Sequence, residues 1–139
     1  MILSILLSIL FFGLGLIHFN WVVGGEFGFI ASLPTKENGE KLFTPRKIDS
    51  AIVGIVLTAF GCFYLIKTGL IENFLPERVF AYNGWIISII FLLRAIGEFK
   101  YVGFFKRIKQ TDFGKLDTKL FSPLCLVIGI LGITIELMK

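Results

Sequence analysis

Six residues of this 139-residue chain carry side chains that could bind or transform a ligand within an otherwise apolar sequence. They are His18, Trp21, Arg94, Glu98, Tyr101 and Asp117. A histidine and a carboxylate are the minimum set for proton transfer at neutral pH, and a guanidinium binds anionic groups. We therefore treat all six as candidate ligand-binding residues, and His18 and Glu98 also as candidate catalytic residues.

The spacing of the later residues predicts one face of a helix. Glu98 follows Arg94 by four positions and Tyr101 follows it by seven, so a helix through this stretch would place them on one stripe. Arg94 then either forms an exposed pair with Glu98 or turns inward and organises a polar layer. His18 also has two interpretations: a hydrogen-bonded structural histidine, or a group that binds ligand or handles protons.

Four apolar blocks surround these residues, and each is long enough to cross a membrane. A spanning helix needs about 20 residues, and lipid does not tolerate irregular backbone. The second block is short, and it reaches this length if Lys67 extends its ammonium to water. The sequence predicts an all-α, four-transmembrane-helix bundle and a single integral membrane domain over residues 1–139. The predicted helices cover about residues 2–23, 50–67, 78–99 and 119–138.

The basic residues predict how the chain is oriented. Ten of them lie in the first and third loops, against three in the second loop and at the termini. By the positive-inside rule, loops one and three are cytoplasmic, and the N and C termini lie together on the external side. We therefore expect a multi-pass protein of the cell inner (plasma) membrane. Its basic loops suit anionic lipid headgroups, so membrane lipids are expected partners and nucleic acid is not.

This topology predicts where the candidate residues meet. Helices one and three run in the same direction, which brings His18 and Arg94 to one depth near the cytoplasmic end. Helix four begins at that end, with Asp117 or Thr118 as its expected N-cap. The prediction is a polar pocket at the cytoplasmic end of the bundle, formed by the six residues named above.

No metal or cofactor is predicted. One histidine and two separated thiols, Cys62 and Cys125, do not supply the ligands of a zinc site. His18 has the chemistry of a haem ligand, but no second axial ligand accompanies it. We expect both cysteines to pack as small apolar residues.

Several short motifs follow one another in a fixed order. They are HxxWxxGG from His18, LPT from Leu33, GxxLFxP from Gly39, RAxGEFKYVGFFK from Arg94 and TxFxxLDTxxxSPLC from Thr111. In this combination the chain resembles the bacterial family known as domain of unknown function 3995. The resemblance implies a small four-helix integral membrane protein and carries no established activity. The matching positions are His18, Trp21, Gly24, Gly25, Pro34, Arg94, Gly97, Glu98, Tyr101, Asp117 and Pro123.

Three functions are compatible with the sequence. In the first, the polar pocket binds a lipid-like or anionic small molecule or a protein partner. In the second, the protein is an intramembrane enzyme in which His18 and Glu98 are an acid–base pair, Arg94 holds an anionic group and Trp21 stacks on the substrate. The third is a small transporter or channel subunit. The middles of the spans lack ionisable residues, so a homo-oligomer would have to supply its hydrophilic path.

Overall fold

Four helices that are long and apolar enough to cross a membrane make up most of the chain in a computed structural model of the protein. They cover Ile2–Val22 (α1), Lys47–Lys67 (α2), Glu77–Ile96 (α3) and Asp112–Leu137. The last span consists of α4 (Asp112–Leu116), a π-helical segment (Asp117–Phe121) and α5 (Ser122–Leu137).

The structure describes residues 1–25, 29, 33–38, 40–42 and 46–138. Within these ranges there is no strand beyond one isolated antiparallel bridge between Thr35 and Lys41. The predicted all-α class with four spans is confirmed. The sidedness of the loops and termini stays a prediction.

Two helix boundaries differ from the expected ones in a way that matters for the site. α3 ends at Ile96 because Gly97 takes the left-handed conformation, with φ +88°, that terminates many helices. The last span begins at Asp112, where Thr111 is the N-cap and its hydroxyl oxygen accepts the Gly114 N–H at 2.9 Å. The expectation that Asp117 or Thr118 caps this helix is therefore wrong.

The chain divides into two compact units. The first contains Met1–Phe27, Pro45–Ile87 and Leu131–Lys139, and the second contains Gly28–Thr44 and Ser88–Ile130. The third and fourth spans each contribute residues to both units.

In the first unit, small residues allow α1 and α2 to approach closely, as is usual between helices in lipid. A Cβ added to Gly15 would lie 2.8 Å from the Thr58 hydroxyl oxygen, so this position accepts little beyond glycine. Ser8 donates its hydroxyl to the carbonyl of Gly61 at 2.9 Å, which ties the two helices together where Gly61 brings the backbone near.

Candidate functional site

The turn after α3 folds back onto the end of that helix through two glycines. Gly97 and Gly103 both have left-handed backbones, with φ of +88° and +90°. A Cβ on Gly103 would overlap the carbonyl oxygen of Ile96, so the backbones meet without room for a side chain. The Phe104 N–H then donates to the Ala95 carbonyl at 2.7 Å, which satisfies an acceptor that the helix end leaves open.

Asp117 connects this turn to the fourth span. Its side chain is completely buried. One carboxylate oxygen accepts the Gly103 N–H at 2.7 Å and the Ser122 hydroxyl at 3.1 Å, and the other accepts Arg94 Nη2 at 2.8 Å. Ser122 reaches the carboxylate because the π-helical segment bonds the Ser122 N–H to the Asp117 carbonyl, five residues earlier.

Lys106 is a second cation at the same carboxylate, and its side chain is also completely buried. Its Nζ lies 3.2 Å from Asp117 Oδ2, donates to the Gly103 carbonyl at 2.9 Å and also donates to the Thr118 hydroxyl. All three ammonium hydrogens thus have acceptors. Because an isolated buried charge is expensive, the position of Lys106 depends on Asp117.

We call Arg94, Lys106 and Asp117 the loop-three cluster, and it contains two cations for one carboxylate. Asp117 is saturated by its donors. Arg94 Nη1, however, is buried and has no hydrogen-bond partner among the residues that the structure describes. The Arg94 side chain as a whole is 33% exposed. The cluster therefore carries one more positive than negative charge and one guanidinium donor without an acceptor among the described residues.

Glu98 and Tyr101 do not continue the helical face of Arg94, and the expected stripe is wrong. The stripe required helix through Tyr101, whereas α3 ends at Ile96. Arg94 pairs with Asp117 on the fourth span. This ion pair takes the place of the exposed Arg94–Glu98 pair that the sequence also allowed.

Glu98 instead holds the turn that follows α3. Its Oε1 accepts the backbone N–H groups of Lys100 at 3.0 Å and Val102 at 3.1 Å, and also that of Tyr101. The Lys100 ammonium lies 5.1 Å from the centre of the Tyr101 ring. These contacts give Glu98 a local structural role at the surface of the turn.

His18 and Trp21 form a pair within the first unit. The His18 Nδ1 lies 2.8 Å from the Leu14 carbonyl oxygen, and the two rings lie 4.6 Å apart between centres. Because a carbonyl only accepts, Nδ1 donates this hydrogen bond, and in the neutral ring Nε2 then holds the free lone pair. The backbone bond matches the structural interpretation of His18, while Nε2 keeps the chemistry of a ligand or base. A pocket shared with the residues of the second unit stays a prediction.

A second buried ion pair lies in the first unit, and sequence reasoning missed it. Lys67 Nζ lies 2.7 Å from Glu136 Oε1, and the two side chains are only 4% and 0% exposed. The same ammonium lies 4.6 Å from the centre of the Phe80 ring and 5.4 Å from that of Phe63. The expectation that Lys67 reaches water is wrong, because a carboxylate and two aromatic faces hold its charge instead.

Beside this ion pair the first unit contains a cavity of about 570 Å³. Ser4 and Lys67 are its polar lining residues. The other lining side chains are apolar and belong to Met1, Ile2, Leu3, Phe80, Ile135 and Met138, and Met1 also carries the N-terminal ammonium. None of the six residues predicted as a site lines this cavity.

The residues that sequence reasoning missed had weak signals. Lys106 is one of several lysines in a basic, aromatic turn, and nothing in its spacing sets it apart. Glu136 had a better signal, since it is an acidic residue within the last apolar block. An ionisable residue inside a span usually faces the protein interior.

The four apolar spans indicate a small multi-pass membrane protein. It contains two groups of charged residues with buried members, the loop-three cluster and the Lys67–Glu136 pair. A family model described as Protein of unknown function (DUF3995) matches residues 11–132, and the chain belongs to that family. The resemblance inferred from the motifs is confirmed. No curated protein and no solved structure matches the chain.

Proposed function

We propose that the loop-three cluster binds the phosphate headgroup of an anionic membrane lipid through Arg94. One observation carries this proposal: the buried Lys106 and the partly buried Arg94 share one carboxylate, and Arg94 Nη1 has no partner among the described residues. A guanidinium donates through several N–H groups in a fixed plane, which suits phosphate oxygens. A bound phosphate would balance the charge and supply the missing acceptor.

The surface of the turn favours a lipid over a soluble anion. Phe99 and Phe105 are 59% and 62% exposed, and their ring centres lie 6.5 Å apart. Lys100 and Arg107 lie on the same turn and are also exposed. Exposed aromatic rings among basic side chains are typical of segments that lie in the headgroup region of a bilayer.

The alternative functions receive less support. Glu98 Oε1 accepts three backbone N–H groups, so its contacts are those of a turn-stabilising residue rather than of a general acid or base. Acid–base catalysis by His18 and Glu98 therefore stays a prediction without a specific observation in its favour. The same holds for a transporter or channel subunit and for a protein partner.

Native mass spectrometry of the full chain, delipidated in detergent, tests the proposal. The protein is titrated with short-chain phosphatidylglycerol, short-chain phosphatidylcholine and inorganic phosphate in separate experiments. We expect one saturable phosphatidylglycerol, bound about tenfold or more tightly than phosphatidylcholine, which corresponds to one charge-assisted hydrogen bond. Equal binding of the two lipids would contradict the proposal. Tight binding of inorganic phosphate alone would assign the site to a soluble anion.

A further inference from the structure

Phe99 has a backbone conformation that aromatic residues rarely adopt. Its φ is +70°, and among the residues that the structure describes it is the only one other than glycine with a positive φ. In this region the Cβ of an L-residue lies too close to a carbonyl oxygen, so a bulky side chain is strained there. Such strain persists only where the surrounding structure imposes it, and it is concentrated at functional sites.

The neighbours of Phe99 impose this conformation but do not compensate for it. The preceding residue, Glu98, accepts the backbone N–H groups of Lys100 at 3.0 Å and Val102 at 3.1 Å, so the chain is fixed on both sides of Phe99. Packing of the ring in the protein interior would offset the strain, but Phe99 is exposed. The apolar contact that offsets it therefore lies outside the described part of this chain.

Phe105 adds a second exposed ring at the level where α3 ends. Its backbone N–H lies 3.5 Å from the carbonyl oxygen of Ile96, the last residue of α3, and its ring centre lies 6.5 Å from that of Phe99. Leu93 and Ile96 are exposed as well, and their spacing of three positions places them on one face of the span. The two rings therefore follow directly on apolar surface that α3 presents to lipid.

A lipid bilayer is the partner that these features fit. The exposed Lys100 and Arg107 of the same turn suit anionic headgroups. A phenylalanine ring has no polar atom to keep it among the headgroups, as tryptophan and tyrosine have, so it is buried at the boundary with the acyl chains. We infer that Phe99 and Phe105 form an anchor that inserts into this boundary, and that burial of the Phe99 ring in lipid offsets its backbone strain. The inference rests on the part of the proposed function that places the turn against the bilayer, and not on phosphate binding by Arg94.

Fluorine NMR of the full chain in nanodiscs tests the insertion. A para-trifluoromethylphenylalanine is introduced singly at Phe99, at Phe105, at Leu93 as a reference in lipid, and at Glu37, which is exposed in the first loop, as a reference in water. We expect a lipid with a nitroxide near the top of its acyl chain to broaden the signals at Phe99 and Phe105 more than a soluble gadolinium chelate does, as at Leu93. Stronger broadening by the chelate, as expected at Glu37, would overturn the inference. Protection from both agents would also overturn it, because another protein surface, such as a second copy, would then cover the rings.

Paired alanine and glycine variants test the strain. Both remove the ring, but only alanine keeps the left-handed penalty, so the equilibrium constant for unfolding in mixed micelles should be about five- to thirtyfold lower for Phe99→Gly than for Phe99→Ala. Phe105 does not have a positive φ, so Phe105→Gly should be no more stable than Phe105→Ala. Equal stability of the two variants at Phe99 would overturn the role of strain. Neither measurement involves phosphatidylglycerol affinity, so failure of the anchor and failure of the Arg94 site are distinguishable.

Discussion

Arg94 donates to Asp117 across 2.8 Å, although 23 positions separate the two residues in the sequence. This bond joins the end of α3 to the start of the π-helical segment, and the intervening turn is fixed by the same carboxylate through Gly103. The arrangement gives the turn a defined shape and also holds Arg94 at the end of the helix that leads into this turn. Stability of the turn and the proposed binding of lipid therefore depend on the same residues.

Replacing Asp117 should be strongly destabilising. Asp117→Asn keeps the shape of the side chain but leaves the buried Lys106 and the half-buried Arg94 without a counter-charge. We expect a loss of about 3–5 kcal/mol in the free energy of unfolding, as for other broken buried ion pairs. Asp112→Asn is the matched control, since Asp112 is exposed in the first turn of α4, and it should cost no more than about 1 kcal/mol. Equilibrium unfolding in mixed micelles measures both, and equal losses would contradict the buried cluster.

Gly103 should be far less tolerant of substitution than another glycine of similar backbone geometry. Gly103 and Gly69 have φ of +90° and +81°, but a Cβ on Gly69 meets nothing within 4 Å. Gly69→Ala should therefore cost about 1–2 kcal/mol, the penalty of the left-handed conformation alone. Gly103→Ala also forces overlap with Ile96 and weakens the bond to Asp117, so about 3 kcal/mol or more is expected. Similar unfolding free energies for the two variants would show that the turn does not close as described.

Gly84 should be required for the Lys67–Glu136 pair. A Cβ at Gly84 would overlap the Glu136 carboxylate, so Gly84→Ala has to displace one partner of a buried pair. We expect a loss of about 3 kcal/mol. Gly13→Ala is the control, because a Cβ there meets nothing within 4 Å, and better helix propensity should make it neutral or up to about 1 kcal/mol more stable. If denaturation midpoints in detergent fail to separate the two variants, the close approach at Gly84 is wrong.

Substitutions of Glu98 should separate a structural role from a catalytic one. Gln keeps an oxygen that can accept the three backbone N–H groups, whereas Ala removes it. Glu98→Gln should therefore lie within about 0.5 kcal/mol of the natural protein, and Glu98→Ala should lose about 1–2 kcal/mol. Unfolding in micelles, together with the rate of tryptic cleavage after Lys100, provides the measurement. A Gln variant as damaged as the Ala variant would mean that the negative charge itself is needed.

The spans could be predicted from the sequence because about twenty apolar residues contribute to the signal of each span. Long apolar blocks have few other stable solutions in lipid, so errors at single residues do not change the count of helices. The site was harder to predict. Arg94 and Asp117 drew attention as ionisable residues at the ends of apolar blocks, but their pairing depends on where the helices end.

The features that the sequence did not reveal depend on the backbone conformation of single residues and on packing between distant parts of the chain. The stripe from Arg94 to Tyr101 assumed continuous helix, and the left-handed Gly97 ends it. Lys67 and Glu136 are far apart in the chain, and although Glu136 lies inside the last apolar block, nothing in the sequence identifies Lys67 as its partner. Only the packing of the first unit brings them together, and no periodicity records such a contact.

The most direct test of the central claim compares Arg94, near the end of α3, with Arg107 in the turn that follows. Arg94→Gln removes the proposed phosphate donor, whereas Arg107→Gln removes an equal charge from an exposed position outside the cluster. Affinity for short-chain phosphatidylglycerol is measured by native mass spectrometry for both variants and the natural chain. We predict that Arg94→Gln weakens binding by about ten- to a hundredfold, and Arg107→Gln by no more than about fivefold. Equal losses for the two variants would show that binding follows net charge alone, and would contradict a specific site at Arg94.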